Sequence, residues 1–225
     1  QWGSHHFRIT GVRPSGKLRL EGGWQENRPQ NGTHKEFVMV ENIFEELDAP
    51  GEWFLDRVSK TLYVYPKSEV DLSSATLTYS NLKSLIRLSG TMDDPLRNIH
   101  FKGIQFSHTA RVFMEPHDDI TRGDWAIAQT AAAFVEGGED CSFRECTFTQ
   151  LGGTAVYLRH YNRRVDLLNS HIHDIGEAGI VMVGAVDAAF NNQVGYYNNA
   201  PWDEMDMTPG PKSPNYPAEC RVHNN

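Results

Sequence analysis

The sequence lacks any apolar run near the ~20 residues that a membrane-spanning helix requires, so no membrane span is expected. It has only three cysteines, Cys141, Cys146 and Cys220, and an odd number defines no disulfide framework. There is no Cys-x-x-Cys pair, no EF-hand spacing and no nonapeptide calcium repeat, and no metal or other cofactor is assigned. Positive charge is also short. Lys and Arg number 21 against 29 Asp and Glu, and the formal net charge is −8. No basic stripe exists to displace counterions, which argues against a nucleic-acid partner. The second half lacks helical periodicity, and the Leu-x-x-Leu-x-Leu signature of leucine-rich repeats is absent.

What the second half has is a repeat. Ala131–Val135, Thr154–Leu158 and Ala178–Met182 each open on small residues and continue as a short apolar strand, at spacings of 23 and 24 residues. A second row keeps step: Cys146-Thr147-Phe148, Ser170-His171-Ile172 and Asn192-Gln193-Val194. A unit of this length, made only of short strands, cannot bury its own apolar side chains and must stack on its neighbours. The expected fold is all-β: a right-handed parallel β-helix, a solenoid, preceded by a small β-rich module.

The columns of such a stack are readable. Phe106, Phe148, Ile172 and Val194 form one inward column. Ile104, Cys146, Ser170, Asn192 and Asn225 form another, whose polar members can hydrogen-bond along the stack. Gly152-Gly153 and Gly176 precede the long strands, where a tight corner calls for positive φ. Arg221–Asn225 resembles the stretch 189–192 and reads as the start of a further coil, so the chain reads as a fragment cut in mid-coil at Asn225.

Residues 1–95 lack the repeat and read as the accessory module, with 96–225 as the coils and a turn-rich linker at Gly90–Pro95. Strands are expected at Phe7–Thr10, Lys17–Leu20, Glu36–Val40, Thr76–Tyr79 and Leu85–Leu88. A hairpin is expected from Glu52–Asp56 and Thr61–Tyr65. Asn42–Leu47 reads as a short helix that Asn42 caps and Glu45 answers.

The run Glu41-Asn42-Ile43-Phe44-Glu45-Glu46-Leu47-Asp48-Ala49-Pro50-Gly51-Glu52-Trp53-Phe54-Leu55, continued by Asp56-Arg57 and Thr61–Pro66, resembles a segment of bacterial right-handed parallel β-helix repeat proteins. Asn98–Thr109 extends the match. The branch it looks closest to is glycoside hydrolase family 141, with its α-L-fucosidases and xylanases. That resemblance implies a secreted or periplasmic bacterial enzyme acting on plant or algal polysaccharide. It carries no catalytic acids over to this chain.

Glycosidases work with two carboxyl groups, ~5–5.5 Å apart for retention and ~6.5–9.5 Å for inversion. Coils stack at ~4.8 Å, so carboxylates one or two coils apart on one face meet either need. The best local cluster is His171–Glu177: Ile172 points in, His171 and His173 point out, and Asp174 and Glu177 flank the glycine corner. Asp174 also suits a plain turn cap. Two insertions, about 111–129 and 200–219, add further candidates. Trp125 and Trp202 can stack on sugar rings, and Asp203, Glu204 and Asp206 can act as acid or base. The catalytic candidates are therefore Asp174, Glu177, Asp203 and Glu204; the binding candidates are His171, His173, Trp125, Trp202 and Arg159. Arg159, His160, Arg163 and Arg164 form a basic cluster, expected on a loop, that would suit a polysaccharide lyase. A non-catalytic glycan-binding β-helix is the third reading. Open solenoid ends also allow end-to-end self-association.

Overall fold

The computed structural model describes residues 5–23, 32–118, 127–189 and 201–225, with Trp202 described in its backbone only. Its strands in chain order are β1 (Phe7–Val12), β2 (Leu18–Gly22), β3 (Trp53–Asp56), β4 (Thr61–Val64), β5 (Ile86–Ser89), β6 (Leu96–Arg97), β7 (His100–Lys102), β8 (Gln105–Ser107), β9 (Ala133–Glu139), β10 (Ser142–Arg144), β11 (Thr147–Leu151), β12 (Val156–Arg163), β13 (Asp166–Leu168), β14 (His171–Ile175), β15 (Ile180–Val183), β16 (Pro217–Ala218) and β17 (Arg221–His223). Three-residue 3-10 turns are the only helical elements among the described residues.

The chain is all-β, and its second half is parallel. Strands β7, β10, β13 and β17 form one parallel sheet, and β8, β11 and β14 a second. The third runs β5, β9, β12, β15, with β6 on β9 and β16 on β12. Successive strands go to these sheets in rotation: β7, β8, β9, then β10, β11, β12, then β13, β14, β15. Registers follow the repeat. Val156 pairs with Ala133 on one side and Ile180 on the other, and Phe148 pairs with Phe106 and Ile172.

One apolar cluster draws on all three sheets. Phe143 stacks on Phe101 at 4.9 Å and Phe148 on Phe106 at 4.8 Å, the spacing of paired strands. Phe143 and Phe148 also meet edge-on at 6.1 Å, which joins two sheets. The polar column is present in part. Cys146 N–H donates to Ser170 Oγ at 3.1 Å, and Ser170 N–H to Asn225 Oδ1 at 2.8 Å. Ile104 departs from it, at 42% exposed. Asn192 and Val194 lie outside the described residues. The place beside β13 that the repeat gave to 189–192 is taken by β17, with Asp166 paired to Arg221.

The strands are joined at corners by single residues with positive φ, stacked in three sets. Asn98, Asp140, Arg164 and Glu219 make one; Gly103, Glu145, Asn169 and Asn224 the second; in the third His108 follows β8, while Gln150 and Asp174 are the last residues but one of β11 and β14. Positive φ therefore falls two residues before Gly176 and Gly152, not on them. Those glycines serve a different need. A Cβ on Gly152 would sit 2.4 Å from the Ala110 carbonyl carbon, and one on Gly176 would sit 2.7 Å from that of Gly152. They allow backbone to pass backbone. Corners also explain the cysteines, all free thiols. Each follows a positive-φ residue and turns its Sγ back to the carbonyl two residues earlier, Glu139, Arg144 or Ala218, at 3.3–3.4 Å. Ser170 Oγ does the same to Leu168 O.

Two compact units are present: residues 1–32 with 80–225, and Thr33–Tyr79. The smaller contains the hairpin of β3 and β4, with Phe44 edge-on to Phe54 and Tyr63 at 5.2 Å. It has no fully buried residue. The stretches 36–40 and 76–79, expected as strands, pair with nothing regular. Nor does Asn42 cap a helix. It has φ +60 and bonds Leu55 twice, through Nδ2 to O and Oδ1 to N, beside a 3-10 turn at Phe44–Glu46. An amide side chain that satisfies a strand outcompetes the cap.

Candidate functional site

Two long connections flank the outer face of the β9–β12–β15 sheet. One joins β8 to β9, the other β15 to β16. From the first, Ile127 and Ala131 cover Phe134, Tyr157 and Val181, which project from neighbouring strands. One row further along, Glu136, Arg159 and Val183 pair in register and are only partly covered.

Asp118, on the first connection, reaches this row. It is buried and accepts hydrogen bonds from Arg159 Nε at 2.9 Å, from Gln129 Nε2 at 3.1 Å and from the Tyr157 hydroxyl. Arg159 Nη2 lies 2.7 Å from Asp118 Oδ1, and its Nη1 donates to both Glu136 oxygens at 3.3 Å. Burial works against the charge on Arg159, but its bonds to Asp118 and Glu136 win and hold the guanidinium above its ordinary value. Burial, then Asp118, push the Tyr157 phenol upward. Glu136 Oε1 also lies 2.8 Å from His160 Nδ1. On the far side Asn215 Oδ1, from the second connection, accepts from Tyr161 N at 3.0 Å.

The His171–Glu177 cluster lies on the neighbouring sheet and the corner after it. His171 and His173 project from β14, ring centroids 4.4 Å apart. His173 Nδ1 is 2.8 Å from Asp174 Oδ2 and 3.3 Å from Thr149 Oγ1. Asp174 is the positive-φ residue next to the end of β14, stacked on Gln150, with its carboxylate exposed. Glu177 is exposed as a residue, yet its Oε2 accepts from the buried Thr154 hydroxyl at 3.2 Å. Desolvation pushes this carboxyl above its ordinary value, against the downward pull of the Thr154 hydrogen bonds.

Asp203 and Glu204 sit on the 3-10 turn Trp202–Glu204 of the second connection, both exposed and on a different element from Asp174 and Glu177. Further along that connection Asp206 pairs with Lys212, which draws Asp206 down to about 2. Trp125, like Asp119 and Asp124, lies outside the described residues, as does the Trp202 side chain. Among the described residues, no three His, Cys, Asp or Glu side chains gather as a metal-holding group.

The basic cluster is not a loop. Arg159, His160 and Arg163 belong to β12, and Arg164 is the corner residue that follows. The long strand runs on because a bulge between Arg159 and Asn162 absorbs the bend. Its charges are engaged: Arg159 by Asp118 and Glu136, Arg164 by Asp140 and Glu219, Arg163 by the Pro214 and Tyr216 carbonyls. Of the residues at this face, the sequence singled out Arg159 alone as a binding candidate. The repeat carried a further signal: Gly137, His160 and Gly184 stand 23 and 24 residues apart, one histidine in a glycine column. No protein-family model, curated protein or solved structure matches this chain.

Proposed function

We propose that the three parallel sheets are the faces of a right-handed parallel β-helix, and that the protein binds and hydrolyses a plant or algal polysaccharide outside the cell or in the periplasm. The resemblance to glycoside hydrolase family 141 motivates the substrate class. The observation that carries the reaction type is Glu177, a carboxyl desolvated against Thr154 whose proton is held more tightly than usual. A glycosidase needs such a group as proton donor to the leaving oxygen. Asp174, three residues away and exposed beside His173, is the matching base, with His171 and His173 as sugar contacts. Asp203 and Glu204 are the alternative carboxylates. The lyase reading loses support because Arg159, Arg163 and Arg164 are all engaged, leaving none of them to neutralise a uronate. Among the described residues, β14, β15 and β17 each have one unpaired edge, which fits end-to-end self-association.

The test is release of reducing ends from xylan and fucosylated cell-wall polysaccharide by the full-length protein. E177Q is expected to lower turnover by about 10²–10⁴-fold. Unchanged cleavage after joint replacement of Asp174, Glu177, Asp203 and Glu204 would sink the assignment. Product absorbing in the ultraviolet as an unsaturated uronate would replace hydrolase with lyase.

A further inference from the structure

Positions 137, 160 and 184 follow the paired row Glu136, Arg159 and Val183, and so stack at one bend of the β9–β12–β15 sheet. They are Gly137, His160 and Gly184. Gly137 has φ +68 and His160 φ +53. Glycine adopts this conformation freely, whereas an L side chain crowds the following carbonyl. Gln150 in β11 and Asp174 in β14 share this conformation within strands and stack on each other, whereas His160 stands at the bulge of β12 beside Gly137.

The bulge does not need the imidazole. It is fixed by Asn162, wholly buried, whose Oδ1 accepts from Gly138 N at 3.0 Å and whose Nδ2 donates to Arg159 O at 2.9 Å and Val135 O at 3.2 Å. What histidine adds over glycine is a ring nitrogen 2.8 Å from Glu136 Oε1. Glu136 is itself held by Arg159, and Arg159 by Asp118. Nδ1 is thus committed to the carboxylate, and Nε2 is the nitrogen left for a ligand. At this bend the neighbouring strand uses glycine, Gly137, and β12 keeps in its place a side chain that the bulge does not require, which points to contact rather than to the fold.

We propose that His160, backed by Glu136, contacts a neutral sugar unit lying across β9, β12 and β15, its Nε2 bonding a sugar hydroxyl. This rests on the polysaccharide reading above and names a subsite for it. The charge around the site selects the ligand class. Asp118 and Glu136 outnumber the single guanidinium between them, so a neutral hydroxylated ring is accepted and a uronate is repelled.

The test is H160G in the full chain, read by thermal melting and by calorimetric binding of short neutral oligosaccharides from xylan, xyloglucan and β-glucan, with oligogalacturonate as the charged probe. Tm is expected to hold or rise by about 2–4 °C as the strain is released. Affinity for the neutral oligosaccharide is expected to fall at least about tenfold. A lower Tm would make His160 a structural residue and overturn the proposal. A stable H160G that binds as tightly as wild type would overturn it while leaving the polysaccharide reading intact. Preference of wild type for oligogalacturonate would overturn the ligand class. Wild type that neither binds nor cleaves any of these glycans would remove both readings together.

Discussion

Asn162 has no exposed surface, and its amide makes three hydrogen bonds to backbone inside the sheet. Alanine there strands one N–H and two carbonyls away from water. At 1–3 kcal/mol for a buried group left unmade, shared among partners that can relax, N162A should cost about 3 kcal/mol and lower Tm by about 6–12 °C. Differential scanning calorimetry checks this; a loss under ~1 kcal/mol would mean that water replaces the amide. Glu177 invites a pH experiment. Its proton is held more tightly in the folded chain than in the unfolded one, so ionising it works against the fold. That penalty is absent while both states are protonated. It grows as pH rises from the unfolded value through the folded one, and stays constant above. E177Q removes it, so the Tm of E177Q relative to wild type should become more favourable from about pH 4 to about pH 8. A difference that is flat with pH would show that Thr154 fully offsets the desolvation. Glu177 was legible as a candidate carboxylate, but neither its contact with Thr154 nor the role of Asn162 was. Asn162 reads as one more polar residue in a basic stretch, and Thr154 as a small residue that opens a strand.

At the scale of the element, what the sequence discloses is register, because register is set by apolar side chains recurring at one spacing. Phe106, Phe148 and Ile172 were readable as a column for that reason, and they pair as expected. Corner chemistry was misread, since glycine has two uses and sequence does not separate them. Gly103 stands at a corner with φ +66 and open space around it, whereas Gly152 has a backbone carbonyl carbon 2.4 Å from where a Cβ would go. The two should therefore respond differently to alanine. G103A carries only the conformational penalty, about 1–2 kcal/mol. G152A must move one strand connection off another and should cost about 3 kcal/mol or more. Denaturant midpoints for the pair decide it; equal losses would refute the distinction. The cluster around Arg159 was less legible still. Asp118 lies 41 residues from its partner Arg159, on a connection that follows no period, and no repeat can place such a residue.

Across the whole molecule, burial is uneven along the stack of strands. The passage β9–β10–β11–β12 has strands on both sides and supplies Phe134, Phe143, Phe148 and Tyr157, all fully buried. The passages beyond it end their sheets: β5, β7 and β8 at one end, β14, β15 and β17 at the other. Their apolar residues are less uniformly buried: Phe106 and Leu88 are covered, but Ile104 is 42% and Val222 46% exposed. A stack in which each layer rests mainly on its neighbours gains stability from interfaces, and a middle layer has two interfaces where an end layer has one. Phe143 and Phe101 test this directly, because they are the same residue type stacked face to face at 4.9 Å. F143A should cost about 3–5 kcal/mol, the usual range for a buried phenylalanine. F101A, with one side of its ring toward the edge, should cost no more than about half of that. Amide exchange should follow the same gradient, slowest in β9 and β12 and faster in β5 and β17. If F101A were as damaging as F143A and β17 exchanged as slowly as β12, the end layers would be covered in solution, and a second copy pairing along the open strand edges would be the first occupant to look for by sedimentation.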